Sequence, residues 1–199
     1  MNALILVDLQ YDFMPGGSLA VPEGDQVVPI ANQLMSDFDL IVATQDWHPT
    51  DHQSFASQHP DRKIGEQVEL AGLEQILWPD HCVQGTRGAE FHANLNQDQI
   101  DRIFTKGTDR LVDSYSGFYD NGHQKSTGLG EYLQEQQVKS VTVLGLAADY
   151  CVKWTALDAV KLGFETRLIQ HACRGVNLSP GDVDRAYREM QNAGVKIIE

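Results

Sequence analysis

Positive charge is scarce in this sequence: 15 Lys and Arg stand against 28 Asp and Glu over 199 residues, a formal net charge of −13. That balance has the wrong sign for a chain that tracks phosphate backbones or anionic lipid, which sets aside nucleic acid and membrane surfaces as leading partners. Long apolar runs are missing as well. The first, Ala3 to Val7, has no basic flank, is far shorter than a secretory core or a bilayer span, and runs straight into Asp8. The expected location is therefore the cytoplasm. Cysteine is sparse, and three residues (Cys82, Cys151, Cys173) cannot build a disulfide framework. An odd number leaves at least one free thiol, which raises the question of catalysis. Internal repeats, low-complexity tracts and linker-like stretches are absent too, so one domain over residues 1–199 is expected.

What is present is an alternation. Short apolar runs of strand type recur at 3–8, 40–46, 102–106, 140–146, 165–170 and 195–198, and continuous Val/Ile/Leu runs suit buried parallel strands. Helical spacing appears over 26–38, 128–137, 152–162 with Gly163 as C-cap, and 181–193 with Gly194 likewise. Strand and helix alternating in this way predict an α/β sheet. Residues 47–99, rich in Pro and Gly, read as one long functional loop, and 108–125 as a second.

In open parallel α/β sheets, ligands sit beyond the carboxyl ends of the strands. Each of the first four runs delivers a chemically useful residue there: Asp8, Asp46, Lys106, and Cys151 after the turn AADY. Cys151 opens the helix VKWTALDAVKLG, where the helix dipole and free backbone N–H groups favour a thiolate. It is the best-placed nucleophile, and the amides of Ala147 and Cys151 are candidates for an oxyanion hole. Asp8 and Lys106 are either a buried ion pair or, with Cys151, a catalytic constellation in which Asp8 accepts the thiol proton. Their convergence with Cys151 favours the second. Cys82 and Cys173 open no helix and read as buried structural thiols.

A second chemistry overlaps the first. In TQDWHPTDH, Asp46 and His48 stand two apart, so in extended chain both face one way; His52 follows, and WPDHCV brings His81 from the far side of the long loop. An Asp with two or three His and no sulfur suits Zn²⁺, Fe²⁺ or Mn²⁺. Phe13, Trp47, Trp78 and Tyr115 lie in or beside these loops and would flank a flat aromatic ligand, or else are ordinary packing.

Six segments, VDLQYDF (7–13), TQDWHPTDHQSF (44–55), WPDHCVQGTRGAEFH (78–92), KGTD (106–109), YSGF (115–118) and GLAADYCVKWTALDA (145–159), together resemble the isochorismatase-like cysteine hydrolases, in order and over essentially the whole chain. Within that family the resemblance is to its nicotinamide-hydrolysing branch. It implies a doubly wound, mostly parallel six-stranded sheet, helices on both faces, strand order 3-2-1-4-5-6. It implies a small-molecule substrate, nicotinamide, hydrolysed to nicotinate and ammonia, with pyrazinamide also accepted. Carried over residue by residue, Cys151 is the nucleophile, Asp8 the base and Lys106 the third catalytic member. Asp46, His48 and His81 match the family's ligands for one divalent metal ion, with His52 a ligand in some members and water in others. Phe13 and Trp78 match the rings that sandwich the pyridine, Tyr115 another pocket aromatic, and Leu146-Ala147 a cis peptide. Two rivals stand beside this reading: a family hydrolase of N-carbamoyl amides or isochorismate-like ethers, and a non-catalytic metal-binding α/β protein. Neither the native metal nor whether the chain forms a homo-oligomer is legible in the sequence.

Overall fold

A computed structural model describes residues 1–199. Its frame is a six-stranded parallel sheet of β1 (Asn2–Val7), β2 (Leu40–Asp46), β5 (Arg102–Lys106), β6 (Ser140–Leu146), β7 (Glu165–Arg174) and β8 (Lys196–Ile198), in the order β5-β2-β1-β6-β7-β8. Counting only these six strands, the order is the expected 3-2-1-4-5-6. The reversal falls between β1 and β6, the crevice where such folds hold ligands. β1 is apolar at every inward position because helices cover the sheet: Ala3 to Val7 are all fully buried.

Four helices flank the sheet: α1 (Val27–Leu34), α2 (Leu129–Glu135), α3 (Cys151–Lys161) and α4 (Asp182–Asn192). α1 and α3 pack on β6 and β7, and α4 on α3 and β8. No helix is long and apolar enough to cross a membrane.

Several boundaries differ from the sequence expectation. The stretch 26–38 is α-helical only over Val27–Leu34, with single 3₁₀ turns at Gly24–Gln26 and Met35–Asp37. Pro29 lies in the first helical turn, where its missing N–H costs nothing. β7 continues to Arg174, past the expected end at 170, because a register shift opposite Val143 and Gly145 lets the chain bend and pair again. Most conspicuously, the long loop contains a hairpin of β3 (Gln67–Leu70) and β4 (Leu73–Ile76). Its turn, Ala71-Gly72, has φ of 50° and 79°, the left-handed pair that a two-residue hairpin requires.

Gly145 is paired with Val7 and Cys173 near the end of β6, just before the turn that leads to Cys151. Its φ is 130°, and a Cβ there would stand 2.2 Å from the Val7 carbonyl oxygen. Gly145→Ala is therefore expected to part β1 from β6 and lower Tm by roughly 5–10 °C, measured by thermal unfolding. A Tm within about 1 °C of the parent would show that the strand ends separate without strain.

Candidate active site

Asp8 directly follows β1, Asp46 ends β2, Lys106 ends β5 and Cys151 is the first residue of α3, and all four are buried. Asp46 and Lys106 are register partners on neighbouring parallel strands, so their side chains rise on one face. Lys106 Nζ lies 2.5 Å from Asp46 Oδ1, 2.8 Å from Asp8 Oδ2, 3.0 Å from the Ser114 carbonyl and 3.4 Å from Cys151 Sγ. One ammonium thus faces two carboxylates and a thiol.

The electrostatics split the two acids. Burial raises Asp8 to about 6, against the pull of Lys106, and the Asp46 charge adds to the rise. Burial would raise Asp46 too, but Lys106 and the His48 ring hold it well below the usual carboxylate range. Lys106 is held well above its ordinary value, since the two carboxylates outweigh burial. Burial also pushes the Cys151 thiol up, with Lys106 pulling the other way. The helix start alone favours a thiolate, but in this dry setting desolvation wins, so the resting group is a neutral thiol that needs a base.

Beside this quartet stands the nitrogen and oxygen cluster. His48 is drawn to the far limb of the long loop by backbone bonds from His48 N to Cys82 O and from Gln84 N to His48 O. That pairing brings His81 alongside. A carbonyl oxygen only accepts, so His48 Nδ1 donates to Gly107 O (2.9 Å) and His81 Nδ1 to Pro79 O (2.7 Å). Both Nε2 lone pairs then face Asp46 Oδ2, at 3.7 and 3.9 Å. Two lone pairs and a carboxylate oxygen pointed at one another repel unless a cation lies between them, so the donor set fits a divalent metal. Gly107 makes room for this arrangement: at φ 65°, a Cβ there would sit 2.3 Å from the His48 ring. Burial brings His81 down to about 4, so its nitrogen is free of a proton near neutrality.

His52 stands apart from that trio. It groups instead with His48 and Asp113. Its Nδ1 lies 2.7 Å from Ser54 Oγ and 3.2 Å from the Ser54 backbone N, and its buried Nε2 has no hydrogen-bond partner.

Phe13, Trp78 and Tyr115 line a cavity that opens onto Cys151, Asp46 and His81. Trp47 does not join them and packs at the edge of the core. Four contributors escaped the sequence reading. Tyr150 lies edge-on to Trp78, with ring centres 4.9 Å apart. Gln75, carried in by the hairpin, donates to Tyr115 Oη (3.1 Å) and Asp113 Oδ2 (3.2 Å). Asp113 itself is a third buried acid at the cavity wall. Gln10 donates to the Asp46 and Ala89 carbonyls and accepts the Asp46 N–H, all at 2.8 Å, which fixes the backbone of Asp46. Tyr150 adjoins Cys151 in the sequence and could have been suspected; the other three reach the site only through loop folding. Leu146-Ala147 is cis, and Ala147 and Cys151 bracket the turn after β6. Cys82 and Cys173 are buried and unpaired; Cys173 lies opposite Gly145 on β7, and burial pushes its thiol up to about 12.

A doubly wound sheet whose carboxyl edge gathers Asp, Lys and Cys beside an Asp/His cluster defines a class, the α/β cysteine-hydrolase architecture. The chain belongs to the isochorismatase family, whose domain matches residues 2–199. It is 49% identical over 200 residues to the nicotinamidase of Escherichia coli, with 98% of this chain and 93% of that protein covered. Among solved structures, a nicotinamidase/pyrazinamidase of Acinetobacter baumannii is 47% identical with a TM-score of 0.96, covering 100% of this chain and 95% of its own. A pyrazinamidase of Pyrococcus horikoshii in complex with zinc is 42% identical with a TM-score of 0.80, covering 100% of this chain and 98% of its own.

The aromatic wall depends on the Tyr115 hydroxyl, which accepts from both Trp78 Nε1 (3.1 Å) and Gln75 Nε2. Tyr115→Phe strands the Trp78 donor, while Gln75 keeps Asp113 and the Ile76 carbonyl, and should cost about 1–3 kcal/mol in urea unfolding. A stability equal to the parent's would mean that the Trp78 donor finds another partner.

Proposed function

We propose that this chain hydrolyses nicotinamide to nicotinate and ammonia, and pyrazinamide to pyrazinoate, through a thioester on Cys151. The observation that carries the reading is the contact of Lys106 with Asp8, Asp46 and the Cys151 thiol at the floor of a cavity walled by Phe13, Trp78 and Tyr115. The relatives' names supply the substrate. The neutral thiol, the raised carboxylate and the aromatic walls supply the chemistry.

Asp8 takes the Cys151 proton as sulfur adds to the carboxamide carbon, and Lys106 holds the charges that appear. The N–H groups of Ala147 and Cys151 receive the oxyanion. Collapse breaks the C–N bond, and the amide nitrogen leaves as ammonia with the proton returned from Asp8. Water then gives a proton to Asp8 and its hydroxyl to the thioester carbon; nicotinate departs and the thiol is restored. Phe13 and Trp78 hold the flat ring during both steps, which is worth much of the barrier when the reacting atoms stay in line. Asp46, His48 and His81 hold one divalent ion, zinc in our reading, with Fe²⁺ and Mn²⁺ also suited to these donors. Bound there, it supplies a fixed positive charge that orients the ring nitrogen. His52, which groups with His48 and Asp113 rather than with Asp46 and His81, stays outside the ligand set. Three buried, unpaired thiols suit a reducing compartment, and we place the enzyme in the cytoplasm.

Purified protein is expected to release ammonia from nicotinamide, to lose that activity to a chelator and to regain it with Zn²⁺. Cys151→Ala should lower turnover by at least about 10³-fold while keeping its metal. Retained turnover in that variant would remove the thioester.

Metal content after dialysis separates the ligand sets. His81→Ala should lose the ion, whereas His52→Ala should keep it in about one equivalent per chain. The opposite ranking would put His52 in the first coordination sphere.

A further inference from the structure

Thr44 takes no part in the steps above, yet it lies at their centre. It sits on β2 opposite Val7, fully buried, one residue across from the start of the Asp8 turn. Its Oγ1 donates to Asp8 Oδ1 at 2.6 Å. The other oxygen, Oδ2, lies 2.8 Å from Lys106 Nζ. The two oxygens of the acid are therefore unequal before any substrate arrives: Oδ1 accepts from a neutral hydroxyl on β2, and Oδ2 is paired with the Lys106 ammonium, which also lies 3.4 Å from the Cys151 sulfur.

The threonine is itself held in one rotamer. A Cβ on Gly117 would come within 2.6 Å of Thr44 Cγ2, so the bare edge of that glycine is the seat of the threonine methyl. Gly117 N–H in turn donates to Thr155 Oγ1 (2.9 Å) on α3, the helix that Cys151 opens. A β-branched side chain with its methyl seated has little freedom at χ1, and its hydroxyl points where the seat dictates. The line from α3 through Gly117 and Thr44 thus ends on one oxygen of Asp8.

We propose that Thr44 is a positioning residue that determines which oxygen of Asp8 receives the thiol proton. The proposal rests on the reading of Asp8 as the base. With Oδ1 occupied by the threonine hydroxyl, the S–H bond of Cys151 breaks with its electron pair left on sulfur, and the new O–H bond forms at Oδ2. The same oxygen returns that proton to the departing nitrogen. Without the hydroxyl, the carboxyl group can rotate and hold the proton on Oδ1, on the β2 side, where neither sulfur nor the leaving group can use it. Thr44 does not line the cavity, so the loss falls on turnover rather than on substrate binding.

The test is steady-state ammonia release from nicotinamide by the zinc-loaded full chain, with thermal unfolding as the control for folding. Thr44→Val, nearly isosteric, is expected to lower kcat about 10- to 100-fold with KM unchanged. Thr44→Ser, which keeps the hydroxyl, should recover most of that loss. Gly117→Ala should also lower kcat, by unseating the methyl, and adding Thr44→Ser should restore it because the clashing atom is gone. That pair carries the test if the valine variant does not fold. A Thr44→Val kcat within about twofold of the parent, or a serine variant as slow as the valine one, overturns the proposal. Asp8→Asn separates the two levels. If it is inactive while Thr44→Val is unimpaired, only the role of Thr44 falls; if it turns over normally, the base reading falls and the proposal with it.

Discussion

One buried ammonium holds the site together. Lys106 is 2% exposed and is surrounded by Asp8, Asp46, the Ser114 carbonyl and the Cys151 thiol. Two carboxylates this close in a dry interior could not both remain ionised without a cation, and stripping the partner from such a group costs on the order of 3–5 kcal/mol. The sheet makes the contact possible. Asp46 and Lys106 are register partners at the ends of β2 and β5, while Asp8 turns in from β1 at φ 52°. Three neighbouring strands therefore converge on one charge, and the sulfur arrives from the fourth.

The long segment between β2 and β5 builds the walls around this floor. Its ordered parts are set by backbone and amide bonds rather than by apolar periodicity: Gln10 fixes Asp46, the strip at His48 pairs with Cys82 to Gln84, and the hairpin presents Gln75. Asp12 Oδ2 adds a bond to Cys82 N (2.7 Å), which ties the turn after β1 to the strip that carries His81. The loop thus supplies His48 and His81 of the metal cluster and Trp78 of the aromatic wall, which Phe13 after β1 and Tyr115 after β5 complete over the same thiol.

This arrangement explains which features were legible in the sequence. Continuous apolar runs gave the six sheet strands, and the polar residue closing each of the first three runs gave Asp8, Asp46 and Lys106, because strand ends are fixed by burial alone. Cys151 was legible because it opens a helix after a strand. The hairpin was not: its strands alternate over only four residues each, and Ala-Gly is a weak turn signal beside Asn-Gly. Gln75 and Asp113 were hidden with it. The end of β7 was obscured by the polar Gln170 and exposed His171, which interrupt the apolar run. Thr44 was hidden differently, since a threonine in a strand reads as an ordinary β-former, and only register and rotamer show where its hydroxyl goes. The residues themselves suggested a cluster of Asp46, His48, His52 and His81, and the family resemblance singled out Asp46, His48 and His81 as its ligands.

The division of labour between the two acids follows from their surroundings. Asp46 meets the ammonium and two imidazoles, stays ionised, and is suited to hold a cation permanently. Asp8 meets the same ammonium but is more deeply enclosed, carries the repulsion of Asp46, and is raised to about 6. A carboxylate in that range can both take a proton from a thiol and give it up to a leaving amine near neutral pH, which a normal aspartate would do poorly. The neutral thiol is the necessary counterpart. In the proposed reaction, a stable Cys151 thiolate beside Lys106 would leave the proton for the departing nitrogen to come from elsewhere, whereas a thiol kept neutral by burial would deliver it to Asp8 at the moment of attack.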